Sequence, residues 1–76
     1  MAEKGKNLLA RRVREHRAAR GWSQYDLEEY SQIHRNYIVQ IEGAKKNVGV
    51  EMIQKLADGF NISIVELFTE PKLKRR

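Results

Sequence analysis

The segment 31–42, SQIHRNYIVQIE, concentrates planar hydrogen-bonding side chains on a short stretch with a thin apolar stripe. Arg35, Asn36 and Gln40 are spaced to share nearly one face of a helix that begins at Arg35. An arginine can donate two parallel hydrogen bonds to guanine O6 and N7, and asparagine or glutamine can pair with adenine N6 and N7. The pattern indicates a helix that contacts base edges in DNA, and the alternative is an ordinary solvated helix face.

Two short helices are needed to hold this face in place. Ser23 is predicted to begin the earlier one, because its hydroxyl can accept the backbone N–H of Asp26 in the first turn. We expect that helix over Gln24–Ser31 and the next over Arg35–Gly43. The three residues between them, 32–34, complete the spacing of a helix-turn-helix, whose second helix lies in the major groove of DNA.

Three further helices are predicted around this pair, at Asn7–Ala19, Val50–Gly59 and Ile64–Thr69. The last of them begins with a capping box from Ser63 to Glu66. Apolar residues that recur at three- and four-residue spacing in and just after the fourth helix should face inward: Val50, Ile53, Leu56, Ala57 and Phe60. The predicted fold class is therefore all-α, a compact bundle of five short helices.

Length and composition restrict the chain to a small globular class. Its 76 residues carry a formal net charge of +5 and contain no cysteine, which excludes disulfides, thiolate zinc sites and a cysteine nucleophile. A basic domain of this size suggests an anionic partner such as a nucleic acid. We expect a flexible N-terminus over 1–6, one domain over 7–70 and a basic C-terminal tail over 71–76.

Other functional classes find little support in the residues. The sequence has neither a phosphate-binding glycine loop nor a nucleophile–base pair, so we predict no enzyme activity, catalytic residue, cofactor or small-molecule substrate. His16 and His34 lack close-spaced partners, so no metal site is predicted and His16 is expected to be buried with its hydrogen bonds satisfied. No apolar run reaches the roughly 18 residues of a membrane span, and no signal-peptide stretch is present, so the expected location is the cytoplasm.

Five patterns of residues resemble the phage repressor and Cro-like (Xre-type) helix-turn-helix family, and the resemblance covers about residues 8–69. The patterns are GWSQxxL at 21–27, IxRxYIxxIE at 33–42, NVxV at 47–50, LA at 56–57 and ISIxxLF at 62–68. The part at 35–42 is most similar to controller proteins of restriction–modification systems. This resemblance implies a lambda-repressor-like DNA-binding domain, with its helix-turn-helix at the second and third helices, in a sequence-specific transcriptional regulator that binds double-stranded DNA.

The resemblance also implies a role for each matching position. Base edges would be contacted by Arg35, Asn36 and Gln40. DNA phosphates would be contacted by Ser23, Gln24, Tyr37, Lys45, Lys46 and Asn47. A buried ion pair between the first and third helices would be formed by Arg17 and Glu42. A homodimer on an inverted-repeat operator would pair through Ile64, Leu67 and Phe68.

Some positions depart from the family pattern. Relatives usually have Ala at the position of Glu28, so this carboxylate must bend outward or hold the helix pair further apart. They usually have Gly where this chain has Gln32, and their Gly after the third helix stands one residue later than Gly43. His34 ranks as a poor capping residue, and we expect the start of the third helix to lose some stability there.

Several roles stay open at the level of sequence. Tyr37 can contact DNA or pack over its own helix, and the last helix can complete the core or pair with a second copy. Arginines surround the first helix, at 11, 12, 14 and 17, so one or two should approach phosphates and the rest face solvent. The alternative function is a protein-interaction or antitoxin-type module, which would bind a partner protein through Ile64, Leu67 and Phe68.

Overall fold

Five helices follow one another in the computed structural model, which describes residues 4–71. They are α1 (Gly5–Ala19), α2 (Gln24–Ser31), α3 (Arg35–Glu42), α4 (Val50–Phe60) and α5 (Ile64–Leu67). No strand occurs within residues 4–71, and the predicted all-α five-helix fold is confirmed. The ends shift by one or two residues: α1 begins earlier than expected, α3 and α5 end earlier, and α4 ends later. The predicted basic tail lies outside the described residues apart from Pro71.

Serine caps begin two of the helices, as the sequence predicts. The Ser23 hydroxyl accepts the Asp26 N–H at 3.1 Å, and the Asp26 carboxylate accepts the Ser23 N–H at 2.8 Å. Ser63 and Glu66 form the same reciprocal pair, at 3.0 and 2.8 Å. Each pair satisfies N–H groups that the start of a helix leaves without an intrahelical partner.

The start of α3 is capped by an imidazole. His34 Nδ1 accepts the backbone N–H of Asn36 at 3.0 Å. The ring thus supplies the acceptor that a serine or aspartate oxygen usually supplies. A ranking by residue type overlooks this bond, and the expectation that His34 caps poorly is wrong in that respect.

The turn between α2 and α3 places Gln32 in the left-handed region, with φ 65° and ψ 24°. This conformation costs a non-glycine residue about 1 kcal/mol. Two hydrogen bonds support the turn: Gln32 Nε2 donates to the Glu29 carbonyl at 2.9 Å, and the Ile33 N–H donates to Ser31 Oγ at 3.1 Å. Gln32 therefore adopts a backbone conformation that glycine reaches at little cost.

One apolar core is shared by all five helices. Its buried members are Leu9, Val13, Leu27, Ile33, Ile38, Ile41, Leu56, Ala57, Phe60 and Leu67.

Leu67 is fully buried, so its side chain completes the core and is not the surface position expected for a dimer. Val50 is 74% exposed rather than facing inward. A helix face is buried only along the length where a neighbour lies against it, and the spacing of apolar residues does not reveal that length.

Helices α2 and α4 pack closely at Ser31 and Gly59. A Cβ added at Gly59 would lie 2.8 Å from both Cα and Cβ of Ser31, a separation that requires glycine at this point. Glu28, which departs from the pattern of the resembled family, is partly exposed to solvent. That exposure agrees with the outward arrangement expected for its charge.

The residues after α3 form a Schellman-type ending. The Ala44 N–H donates to the Ile41 carbonyl at 3.1 Å, and the Lys45 N–H donates to the Gln40 carbonyl at 2.9 Å. Ala44 has φ 57°, the left-handed conformation in which glycine is usual. Gly43 stands one residue too early to occupy it, and has φ −90°. The order Gly43–Ala44 therefore leaves backbone strain at the end of α3.

Replacing Ala44 with glycine should remove that strain. Ala44→Gly is expected to raise the free energy of unfolding by about 1 kcal/mol, since glycine adopts a positive φ at little cost. Ala18→Gly, at an exposed position inside α1, is the matched control and should lower it by about 1 kcal/mol. Urea denaturation of the two variants measures both free energies. If Ala44→Gly destabilises the protein, Ala44 is not strained.

Candidate DNA interface

A buried ion pair joins three helices at Glu42, which is only 6% exposed. Arg17 donates from Nε to Glu42 Oε2 at 2.8 Å and from Nη2 to Oε1 at 2.9 Å. Gln24 Nε2 also donates to Oε1, at 3.0 Å. These three residues, the Glu42 network, connect α1, α2 and α3. Arg17 Nη1 further donates to the Trp22 carbonyl at 2.9 Å, which fixes the approach of the chain to α2.

The hydrogen bonds to Glu42 raise the pKa of the Arg17 guanidinium, and they outweigh the lowering of that pKa by burial. A base with a raised folded-state pKa stabilises the fold at every pH below its unfolded pKa, and this effect is lost only as the pH rises through the folded value. Arginine titrates far above neutral pH. The Arg17 charge is therefore present throughout the physiological range.

The other arginines of α1 are engaged within the protein. Arg12 binds Glu15 at 2.8 Å and the Phe68 carbonyl at 3.1 Å, and Arg14 donates to the Glu42 carbonyl. Arg20, just after the helix, donates to the carbonyls of His16 and Phe60, and burial lowers its pKa. Arg14 is exposed, as the sequence leads us to expect for part of this set, but its guanidinium and that of Arg12 also donate to acceptors within the protein, which the sequence does not indicate.

The outer face of α3 carries the predicted base-contacting residues. Asn36 and Gln40 are exposed and Arg35 is partly exposed. The opposite face buries Ile38 and Ile41 in the core. Within residues 4–71, no hydrogen bond or ion pair engages the side chains of Arg35, Asn36 or Gln40. Their donors and acceptors are available to a ligand placed against this face.

Tyr25 contacts this face, although the sequence reasoning assigned it no role. The Arg35 guanidinium carbon lies 4.6 Å from the centroid of the Tyr25 ring, and Tyr25 is 65% exposed. The two residues belong to different helices, so no local spacing relates them. Only the packing of α2 against α3 brings the ring and the cation together.

The start of α2 lies beside the Glu42 network. The Gln24 side chain, predicted to contact a phosphate, donates one N–H to Glu42 and keeps its second N–H. The Ser23 hydroxyl accepts from Asp26 and retains its own proton as a donor. Together with the backbone N–H groups of a helix start, these donors form an arrangement suited to an anion.

The loop after α3 supplies exposed cations. Lys45, Lys46 and Asn47 are exposed, and the Lys46 ammonium lies 5.4 Å from the centroid of the Tyr37 ring. Tyr37 itself is partly buried and packs against the core. The packing reading of Tyr37 thus has structural support, and its partial exposure leaves room for contact with DNA.

His16 is buried, and its Nε2 lies 3.1 Å from the Glu66 carbonyl and 3.0 Å from the Thr69 carbonyl. This is the satisfied, buried setting that the sequence predicts. Among residues 4–71, no group of three or more histidine, aspartate and glutamate side chains is arranged to hold a metal ion. Nor is any helix in that range long and apolar enough to cross a membrane.

The helix pair, its three-residue turn and the exposed polar face of α3 define a helix-turn-helix domain of the DNA-binding class. A family model described as helix-turn-helix matches residues 13–67. The chain belongs to this family.

The relatives include controller proteins of restriction–modification systems. Control protein C.SmaI of Serratia marcescens is 38% identical over 69 residues, which cover 91% of this chain and 82% of that one. The crystal structure of controller protein C.AhdI from Aeromonas hydrophila has 35% identity and a TM-score of 0.77, over 82% of this chain and 94% of that one. The C.Esp1396I tetramer, solved with its natural 35 base-pair operator, has 25% identity and a TM-score of 0.79, over 87% and 88%. The resemblance drawn from the sequence is confirmed.

Breaking the Glu42 network should lower the free energy of unfolding far more than breaking an ion pair at the surface. Glu42→Gln is expected to lower the free energy of unfolding by about 3 kcal/mol, because a largely buried Arg17 guanidinium loses its counter-charge. Glu15→Gln makes the same chemical change in the more exposed ion pair with Arg12. It should lower the free energy of unfolding by less than about 1 kcal/mol. Chemical denaturation compares the two, and equal losses would show that the network does not hold the helices together.

Proposed function

We propose that this protein is a controller protein of a restriction–modification system. In this role it is a sequence-specific transcriptional regulator that binds double-stranded DNA as a homodimer at an inverted-repeat operator. The observation that carries the proposal is the unengaged row of Arg35, Asn36 and Gln40 on the outer face of α3. A polar face presented by a helix whose other side is fixed in the core suits contact with an external ligand.

Base reading is assigned to the first turns of α3 in the major groove. Arg35 donates two hydrogen bonds to a guanine, and Asn36 and Gln40 have the amide geometry that pairs with adenine. These contacts supply sequence preference. His34 supports them indirectly, because its bond to the Asn36 N–H holds the first turn of α3 in helical form.

Phosphate contacts position the domain on the duplex and supply much of its affinity. The start of α2 offers Ser23 and Gln24 for such contacts. The loop after α3 offers Lys45, Lys46 and Asn47, next to Tyr37. In the chain, the first group precedes the base-reading residues of α3 and the second follows them.

The relatives support regulation at an operator. C.Esp1396I was crystallised as a tetramer with its natural 35 base-pair operator, and C.SmaI is a control protein. A two-fold dimer of this chain would match an inverted repeat whose half-sites lie about 34 Å apart. The function involves no chemical reaction or cofactor, and we place it in the cytoplasm with bacterial DNA.

The dimer surface is assigned to the outer side of α5. Ile64 and Phe68 are partly exposed, and Val65 is 76% exposed. Phe68 also lines an apolar recess of about 240 Å³ together with Val48 and Ile53. We therefore assign to Val65 the position in the dimer interface that the sequence predicts for Leu67, which is buried.

Selection of bound duplexes from a random pool tests the base-reading assignment. Arg35→Ala should weaken binding to the selected site by roughly 1–3 kcal/mol and relax preference at one or two base pairs. Lys46→Ala should weaken binding to all sequences alike. It should also reduce the slope of log affinity against log salt concentration by about one. If Arg35→Ala also loses only uniform affinity, Arg35 does not read bases. A wild-type protein that selects no sequence would favour the protein-interaction alternative.

Sedimentation equilibrium without DNA tests the dimer surface. Val65→Arg should shift the protein towards monomer, because an interface cannot bury an unpaired charge at low cost. Val39→Arg, at an exposed valine of α3, should leave the monomer–dimer equilibrium unchanged. A wild-type protein that stays monomeric at micromolar concentration would contradict the homodimer, and equal dissociation of both variants would contradict the surface assigned here.

A further inference from the structure

Within residues 4–71, the one interaction described for the Arg35 side chain is a cation–π contact with Tyr25. Its guanidinium carbon lies 4.6 Å from the Tyr25 ring centroid, and no carboxylate or carbonyl within residues 4–71 accepts a hydrogen bond from it. The Tyr25 ring is itself largely exposed at the start of α2. A free arginine of this length would occupy many rotamers, so an aromatic neighbour on another helix is a specific restraint.

A cation–π contact restrains an arginine without consuming its donors. A guanidinium is planar, and its N–H groups point outward in the plane while its faces carry none. Within residues 4–71 no group accepts a hydrogen bond from the Arg35 N–H groups, so they stay available for a bidentate contact. An ion pair at the same place would occupy the donors that base reading needs and would reduce the cationic charge.

We propose that Tyr25 is a positioning residue for base recognition, and that its ring holds the Arg35 guanidinium ready for the edge of a guanine. This inference rests on the proposed function. Prior ordering reduces the side-chain entropy lost when Arg35 binds. This ordering increases affinity only for sequences that Arg35 reads, because the phosphate contacts made by other residues do not depend on the orientation of Arg35.

Equilibrium binding to the duplex selected by the wild type, and to a scrambled duplex, tests the proposal. Tyr25→Leu should lower the ratio of the two affinities by about 3- to 10-fold, the range expected for loss of a cation–π contact, with binding to scrambled DNA unchanged. Tyr25→Phe keeps the ring, so its ratio of affinities should stay within about twofold of the wild-type ratio. Tyr30→Leu removes another exposed tyrosine of α2 and should leave the ratio unchanged.

A double-mutant cycle identifies the residue through which Tyr25 acts. In an Arg35→Ala background, Tyr25→Leu should have no further effect on the ratio of affinities. A loss that persists there would overturn the proposal, as would a Tyr25→Leu variant that weakens both duplexes equally. Failure of Tyr25→Phe to retain the ratio would assign the effect to the hydroxyl and would also overturn it.

The same measurements separate this inference from the proposed function. If the wild type prefers no sequence, both are wrong. If Arg35→Ala lowers the preference and Tyr25→Leu retains it in full, the proposed function stands and the positioning role of Tyr25 is refuted. Thermal unfolding of each variant ensures that the binding data come from folded protein.

Discussion

The structure depends on one buried charge pair, Arg17 with Glu42. Burying a carboxylate is costly unless it is paired and hydrogen-bonded, and Glu42 satisfies both conditions only where α1, α2 and α3 meet. A rotation of α3 about its axis would break the paired hydrogen bonds from Arg17 and the bond from Gln24. The pair therefore contributes more to a unique orientation of α3 than to the net stability of the fold. That orientation is what places Arg35 and Asn36 outward.

The same short helix thus serves the core and the surface. Ile38, Ile41 and Glu42 are buried on one side of α3, and the polar residues of its first turns stand on the other. Isolated helices of this length are marginal in water, so α3 relies on its neighbours and on its ends. The His34 cap holds its start, and the turn around Ala44 closes its end. Function and fold are consequently difficult to separate in variants of α3, which is why base-specific readouts are more informative than total affinity.

Local patterns in the sequence predict most of the architecture, because caps and apolar spacing act within a few residues. The starts of α2 and α5 follow from their serine caps, and the family patterns lead correctly to controller proteins. Features that depend on packing between distant segments were missed. No local rule reports the exposure of Val50, the complete burial of Leu67 or the contact between Tyr25 and Arg35. His34 was misjudged for a different reason, since a capping rank averages over geometries and this imidazole occupies a favourable one.

The most direct test of base recognition by α3 is a crystal structure of the protein with the duplex that it selects. We expect α3 in the major groove, with Arg35 donating to O6 and N7 of one guanine at about 2.7–3.2 Å and the Tyr25 ring still against its guanidinium. A complex in which the outer face of α3 is turned away from the bases, or is covered by another polypeptide, would contradict base recognition by α3.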